Sequence, residues 1–408
     1  MSNQFEKAAI NENNPKWENS VQRQEELYSR EDDIRTPFSR DYNRILHCNA
    51  YRRLKHKTQV FFATKNDHIC TRIEHVNHVS SVSYTISKYL GLNTELTTAI
   101  ATGHDCGHAP FGHFGETVLK NIAKNDLSDT FWHERNSLRF VDKCETLAGP
   151  KGEEHNLNLT YAVRDGIISH CGEVDDKSLF PRNEFIDLES IERPNQYAPY
   201  TWEGCIVKIA DKIAYLGRDI EDALDLKILN SKQIKELLKI VKAHTSQRVS
   251  DINNTLIMHK FIIDICNNST PEKGIRFSQD YFDLMKELRE FSYNYIYQHE
   301  RLSTYQKYAQ LIIESIYLTL KKAYKAQDTI NELESEYGGI FPVLTQRFAQ
   351  WLKKYTRDYP GFTRDKKYKN KVLYDLNSQE DYLQAIIDFI SGMTDNFAIG
   401  LFEELTTF

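Results

Sequence analysis

The feature that most constrains this chain is the rarity of helix breakers. Ten prolines and seventeen glycines punctuate 408 residues, and the long intervals between them carry apolar residues three and four apart, the spacing that lays a stripe along one helix face. In "EGCIVKIADKIAYLGRDIEDAL", Ile206, Ile209, Ala210, Ile213, Leu216 and Ile220 make such a stripe, and most charged residues lie off it. Strand-type alternation is almost absent, and no internal repeat or low-complexity tract appears. The pattern predicts an all-α fold. Besides this helix, others are expected over about 74–90, 94–103, 134–145, 159–170, 231–244, 279–298, 303–325, 343–354 and 379–405. Loops are expected at 145–158, 172–200 and 356–378, and the first forty residues, too polar to pack alone, read as an arm.

With 40% hydrophobic and 27% charged residues the chain has the composition of a soluble protein of one or two domains. The N-terminal "MSNQFEKAAINENNPKWENS" lacks the basic and apolar regions of a secretion signal. No apolar run approaches a bilayer span, so the expectation is a cytoplasmic protein without a membrane segment. Seven scattered cysteines without CxxC spacing argue against a disulfide framework or a zinc ribbon. A net charge of −6 gives no global attraction to nucleic acid, so any polyanion must be held by a local cluster of Lys and Arg.

The chemistry concentrates in "GHDCGHAPFGH", residues 103–113, where three histidines and an aspartate crowd into eleven residues. Nine of the fourteen histidines fall between 47 and 133. Such clustering points to a metal site, an acid–base site, or both, because histidine is rarely gathered for packing alone. "TRIEHVNHV" puts His75 and His78 three apart on one helix face, and Asp211 abuts the apolar stripe a hundred residues later. A histidine, the adjacent His104–Asp105 pair and a distant aspartate make a mixed N/O donor set, suited to Mn, Fe, Zn, Ni or Mg more than to a thiolate-selecting ion. His78 reads as an ordinary interior or surface histidine. The glycines at 107, 112 and 115 permit close backbone approach.

These residues resemble a known family. "TRIEHVNHV", "GHDCGHAPFGHFGE" and "ADKIAYLGRDIEDA" are similar to the H…HD…D motif of the HD-domain phosphohydrolases, in the branch of deoxynucleoside triphosphate triphosphohydrolases (dGTPase-like proteins). "AYRRLKHKTQVF", "FWHERNSLRF" and "DFISGMTDNFA" resemble further blocks of that branch, so the likeness runs from about residue 30 to 400. It implies an HD-domain helical fold with additional C-terminal helices. The expected division is a polar arm (1–40), an HD-type catalytic core (41–230) and a helical region (231–408) that packs on the core and completes the nucleotide pocket.

Residue by residue, the resemblance makes His75, His104, Asp105 and Asp211 the ligands of a divalent metal (Mn, Mg, Fe, Ni or Zn). It makes His113 the general acid, held by Glu116, with His133 near the reacting phosphate. Arg72 and Lys212 are implied on the triphosphate side, Arg53 nearby in either a structural or a binding role, His108 beside the acid either as its support or in direct substrate contact, and Gln59, Val60, Tyr215, Asp219 and Tyr297 around the sugar. The implied reaction cleaves a dNTP, dGTP favoured, to deoxynucleoside and tripolyphosphate. The implied assembly is a homo-oligomer, tetramer or hexamer, with dNTP activators at subunit interfaces. Cys106 and Ala109 depart from the family pattern, which usually has an aliphatic residue and a proline there. Two other readings stand beside this one: a different HD-domain nucleotide phosphohydrolase or phosphodiesterase, and a nucleotide sensor or single-stranded nucleic-acid binder using the Lys- and Tyr-bearing "TRDKKYKNK" at 363–371.

Overall fold

The computed structural model describes residues 4–27, 33–62, 68–171, 177–244, 254–359 and 361–407. Residues 172–176 of the expected 172–200 loop, residue 360 of the 356–378 loop, and 1–3 and 28–32 of the arm lie outside them. In chain order the helices are α1 (Trp17–Val21), α2 (Pro37–His47), α3 (Asn49–Arg53), α4 (Arg72–Leu90), α5 (Thr94–Gly103), α6 (Gly112–Leu127), α7 (His133–Arg139), α8 (Tyr161–Ser169) and α9 (Trp202–Asp225). They continue with α10 (Ser231–His244), α11 (Asn254–Asn268), α12 (Gln279–Ser292), α13 (Glu300–Lys322), α14 (Thr329–Ser335), α15 (Pro342–Tyr355), α16 (Gln379–Ser391) and α17 (Asp395–Thr406). Strand structure among the described residues is confined to two antiparallel pairs, β1 (Thr146–Ala148) with β2 (Glu154–Asn156) and β3 (Ser178–Leu179) with β4 (Ile275–Arg276). The fold is all-α, as expected.

Departures from the expected elements have local causes. The 145–158 loop contains the β1–β2 hairpin. The 379–405 helix breaks at Gly392, where Thr394 restarts it by accepting the Phe397 N–H, and its two halves bend by 117°. Helices α1, α2, α3, α6, α11 and α14 fall outside the spans that the apolar spacing predicts. Among the described residues no single helix is long and apolar enough to cross a membrane.

The described residues form two compact units that interleave along the chain, a different division from the linear one expected. The first draws on Met1–Ile45, Ala63–His104 and Asn158–Thr304, the second on Leu46–Phe62, Asp105–Leu157 and Tyr305–Phe408.

The first unit is built around α9, which packs against α4, α5, α8, α11 and α12. Its apolar stripe from Ile206 to Ile220 is buried, as the periodicity requires, at roughly 1.5–3 kcal/mol per large side chain. Because neighbours surround it, the polar Lys208, Lys212 and Asp219 are buried too. The polar N-terminal segment docks through its few apolar residues: Phe5 sets its ring edge-on to Trp202 at 4.9 Å, and Ile10 is buried. The Ile10 N–H donates to the buried Glu203 Oε1 at 3.0 Å, which also accepts the Asn93 N–H.

In the second unit, α15 packs on α14, α16 and α17, and α6 packs on α16. Phe348, Leu352, Tyr382 and Ile386 are buried in its core. The 363–371 loop lies along the hairpin, where Glu154 exchanges backbone bonds with Lys367 (2.7 Å) and Lys369 (2.8 Å).

Candidate functional site

A buried donor set lies in the first unit. His75, on α4, and His104, capping the C-terminal end of α5, are 3% and 0% exposed. Asp211 comes from α9. His75 Nε2 stands 2.9 Å from Asp211 Oδ1, and His104 Nε2 stands 3.9 Å from the same oxygen. One donor atom from each of the three lies within 4.8 Å of the others. A carbonyl can only accept, so His104 Nδ1 donates its proton to Ala101 O at 2.7 Å, which directs Nε2 toward Asp211. Burial acts to raise the Asp211 carboxyl; the bond from His75 and the nearby His75, His104 and His170 outweigh it and hold Asp211 ionised, well below the usual range. Two imidazoles and a held carboxylate fit a divalent cation; Asp105, next in the chain after His104, belongs to the second unit and is not part of this donor group. His78, three residues after His75, stays outside every donor group among the described residues.

His170 was not singled out from the sequence. It is buried at the C-terminal end of α8, and its ring meets that of His104 edge-on at 4.8 Å. Its Nδ1 donates to Ile167 O at 2.6 Å, repeating the arrangement of His104. The signal available in sequence was a lone histidine ending an apolar helix in "YAVRDGIISH".

A second constellation belongs to the second unit. His113 and Glu116 sit three apart near the start of α6, and His133 opens α7. Glu116 accepts from three groups: Oε2 lies 3.3 Å from His113 Nδ1 and 3.1 Å from His133 Nδ1, and Oε1 takes the His133 backbone N–H at 2.9 Å. The His108 ring stacks on His133 at 4.1 Å, and His108 Nε2 is 3.6 Å from Asp105 Oδ1. Burial acts to lower His133, but Glu134, Glu116 and Asp105 push it up to about 10, so it holds its proton at neutral pH. Burial acts to raise Glu116, and the His133 charge with the bonds from both histidines leaves it well below the carboxylate range. The His113 side chain alone is 65% exposed. The arrangement is an imidazole open to solvent, backed by a carboxylate that stays ionised, which is what proton delivery requires.

Distant sequence blocks hold this second constellation in place. Phe111, immediately before α6, has φ 64°, a left-handed conformation that costs an L-residue about 1–2 kcal/mol. Its N–H donates to Asp395 Oδ1 at 2.8 Å, and Asp395 Oδ2 takes the Thr58 N–H at 2.9 Å, so "MTDNFA" fixes both "HAPFG" and "KTQVF". Lys57 Nζ donates to the His108 and Ser391 carbonyls. Gly107 is forced: a Cβ there would sit 2.1 Å from Ser137 N and 2.2 Å from Asn136 C. Gly115 is equally confined, because its Cβ would fall 1.9 Å from Pro110 O. Their close approaches are to the protein's own backbone.

In the first unit Arg72 and Lys212 are buried, and Tyr297 donates to Asp219 Oδ2 at 2.6 Å, with Tyr215 one turn before Asp219 on α9. In the second, Gln59 is buried with Val60 half-buried beside it, and Arg53 is engaged by Glu145 at 2.7 Å. Cys106 is buried, and its bond with Cys48 together with burial pushes the thiol well above its ordinary value, which removes it as a nucleophile. Cations of the 363–371 loop and its neighbour α15 meet carboxylates: Lys354 with Glu154 (3.0 Å), Lys367 with Asp365 and Lys369 with Glu153.

Comparison with known proteins agrees with the geometry. The HD domain model matches residues 72–216, and the phosphohydrolase-associated domain model matches 275–404. The chain is 40% identical over 268 residues to a deoxyguanosinetriphosphate triphosphohydrolase-like protein of Desulfatibacillum aliphaticivorans, covering 65% of this chain and 68% of that one. It is 33% identical over 381 residues to one of Clostridium tetani, covering 92% and 87%. A third, from Pelagibacter ubique, is 30% identical over 90% of this chain and 92% of its own length.

Proposed function

Because this chain belongs to the deoxyguanosinetriphosphate triphosphohydrolase-like family and is an HD-domain phosphohydrolase, we propose that it is a metal-dependent dNTP triphosphohydrolase. Its substrate is a deoxynucleoside triphosphate, dGTP favoured, and its products are the deoxynucleoside and inorganic tripolyphosphate. The observation that carries the reading is the exposed His113 backed by ionised Glu116 and protonated His133. Water attacks the α-phosphorus, the bond from phosphorus to the 5′-oxygen breaks, and that oxygen leaves as a poor alkoxide unless it receives a proton. His113 delivers the proton, Glu116 holds the imidazole for it, and the charged His133 offsets phosphoryl charge.

His75, His104, Asp105 and Asp211 would hold a divalent metal, which when bound would activate water near neutral pH and offset developing phosphoryl charge. Manganese, magnesium, iron, nickel and zinc all suit this N/O set. Arg72 and Lys212 take the triphosphate. Gln59 reads the sugar 3′-OH, Val60 crowds the 2′ position, and Tyr215, Asp219 and Tyr297 hold the deoxyribose. The active form is a cytoplasmic homo-oligomer, tetramer or hexamer, activated by dNTPs at its subunit interfaces. The paired cations of the 363–371 loop weigh against the nucleic-acid reading.

The test is chromatographic identification of the products from each dNTP with manganese-loaded protein. Deoxynucleoside plus tripolyphosphate supports the reading. Deoxynucleoside monophosphate plus pyrophosphate, or diphosphate plus phosphate, overturns it.

A further inference from the structure

We propose that His108, His113, Glu116 and His133 also form a transition-metal site, distinct in its residues from the His75/His104/Asp211 set, and that an ion there inhibits the enzyme. Each of the four offers one ligand atom, and all four atoms lie within 4.8 Å of one another. Three imidazole nitrogens and one carboxylate oxygen are the donors that zinc takes in tetrahedral sites, at about 2.0–2.1 Å from nitrogen, which places neighbouring donors about 3.3 Å apart. Two of the separations already match: Glu116 Oε2 lies 3.3 Å from His113 Nδ1 and 3.1 Å from His133 Nδ1. His108 tightens onto them, its ring already stacked on His133, and His133 releases its Nδ1 proton to solvent as the ion takes that nitrogen.

Access and rigidity divide among the four. His108 is buried and Glu116 and His133 are mostly covered, so three donors are positioned before the ion arrives, while His113, 65% exposed, is free to close over it. An ion held this way occupies Glu116 and His113 Nδ1, the contact that orients the acid. It therefore acts as an inhibitor. The inhibition rests on the function proposed above; the binding does not.

Zinc is the probe, counted per full-length chain by equilibrium dialysis without nucleotide. Wild type is expected to bind two equivalents. His75→Ala should lose one and keep the other, whereas His113→Ala should lose the other, its affinity falling by more than the roughly 10–100-fold that loss of a supporting partner costs. His113 is exposed, so its truncation leaves packing intact, and Glu116→Gln serves as the second variant. A single equivalent in wild type overturns the site, as does a second equivalent of unchanged affinity in both His113→Ala and Glu116→Gln. One zinc equivalent bound to manganese-loaded protein with dNTP hydrolysis unimpaired overturns the inhibition alone. Product identity is measured separately, so failure here is distinguishable from failure of the proposed reaction.

Discussion

The two histidine constellations use the same residue types and differ in what backs each imidazole. Around Asp211, imidazoles outnumber the carboxylate, and His104 spends its Nδ1 proton on a backbone carbonyl, so Nε2 is kept for a cation. Around His133, carboxylates outnumber the imidazole: Glu116, Glu134 and Asp105 pin the proton in place. Burial is common to both and opposes the charged form in both, so burial does not decide the outcome. The partner does. An imidazole backed by a carbonyl has its other nitrogen directed outward, and one backed by carboxylates keeps its proton until something displaces it.

The largest effect expected is at the donor set. His104→Ala or Asp105→Ala should abolish metal-dependent hydrolysis and loosen the first metal equivalent, measured by metal content and turnover on the same samples. Full activity with full occupancy would break the comparison at its first half. Next comes the acid: His113→Ala should keep that first equivalent and bind dNTP while losing roughly 10²–10⁴ in single-turnover hydrolysis. Glu116→Gln should lose less, and it should move the basic limb of the pH profile to lower pH, because an imidazolium deprived of its carboxylate gives up its proton sooner. If His113→Ala loses metal in proportion to activity, the two constellations do not divide the labour.

The smallest effect sharpens the role of the partner. Glu203 is more deeply buried than Glu116 and has no imidazole, and burial pushes its carboxyl up from 4.5 to about 6 despite the Ile10 and Asn93 N–H groups. A folded value above the unfolded one means that its stabilising contribution is complete below about pH 4.5 and is lost as pH rises through 6. Glu203→Gln keeps an oxygen for both N–H donors and should flatten that slope, leaving the variant about 2 kcal/mol more stable than wild type at pH 7.5. Denaturant unfolding at pH 4.5 and 7.5 reads this directly; an unchanged slope would show that the N-terminal dock does not depend on the Glu203 charge.

Legibility followed the range of the forces involved. Helices α4, α5 and α9 were readable because an apolar stripe of period 3.6 is written in adjacent turns, and the His104–Asp105 dipeptide was conspicuous because its ligand atoms are neighbours in the chain. Helix α6 was hidden by its opening "GHFGE", whose glycines look like loop and are there because Gly115 leaves no room for a Cβ beside Pro110. The break at Gly392 was hidden because apolar residues continue on both sides of it.

By itself the sequence determined that the chain is helical, and it pointed to metal and imidazole chemistry in a few short blocks. Only the tertiary structure decided what those blocks do to one another. Asp395 lies 284 residues from Phe111 and 337 from Thr58, yet it binds both backbones. His170 meets His104 from another helix end, and the proton on His133 is set by carboxylates at 105, 116 and 134. The physical reason is that local pattern encodes which face of a helix turns inward, whereas a proton's affinity and a backbone's strain depend on groups that fold into contact from anywhere in the chain.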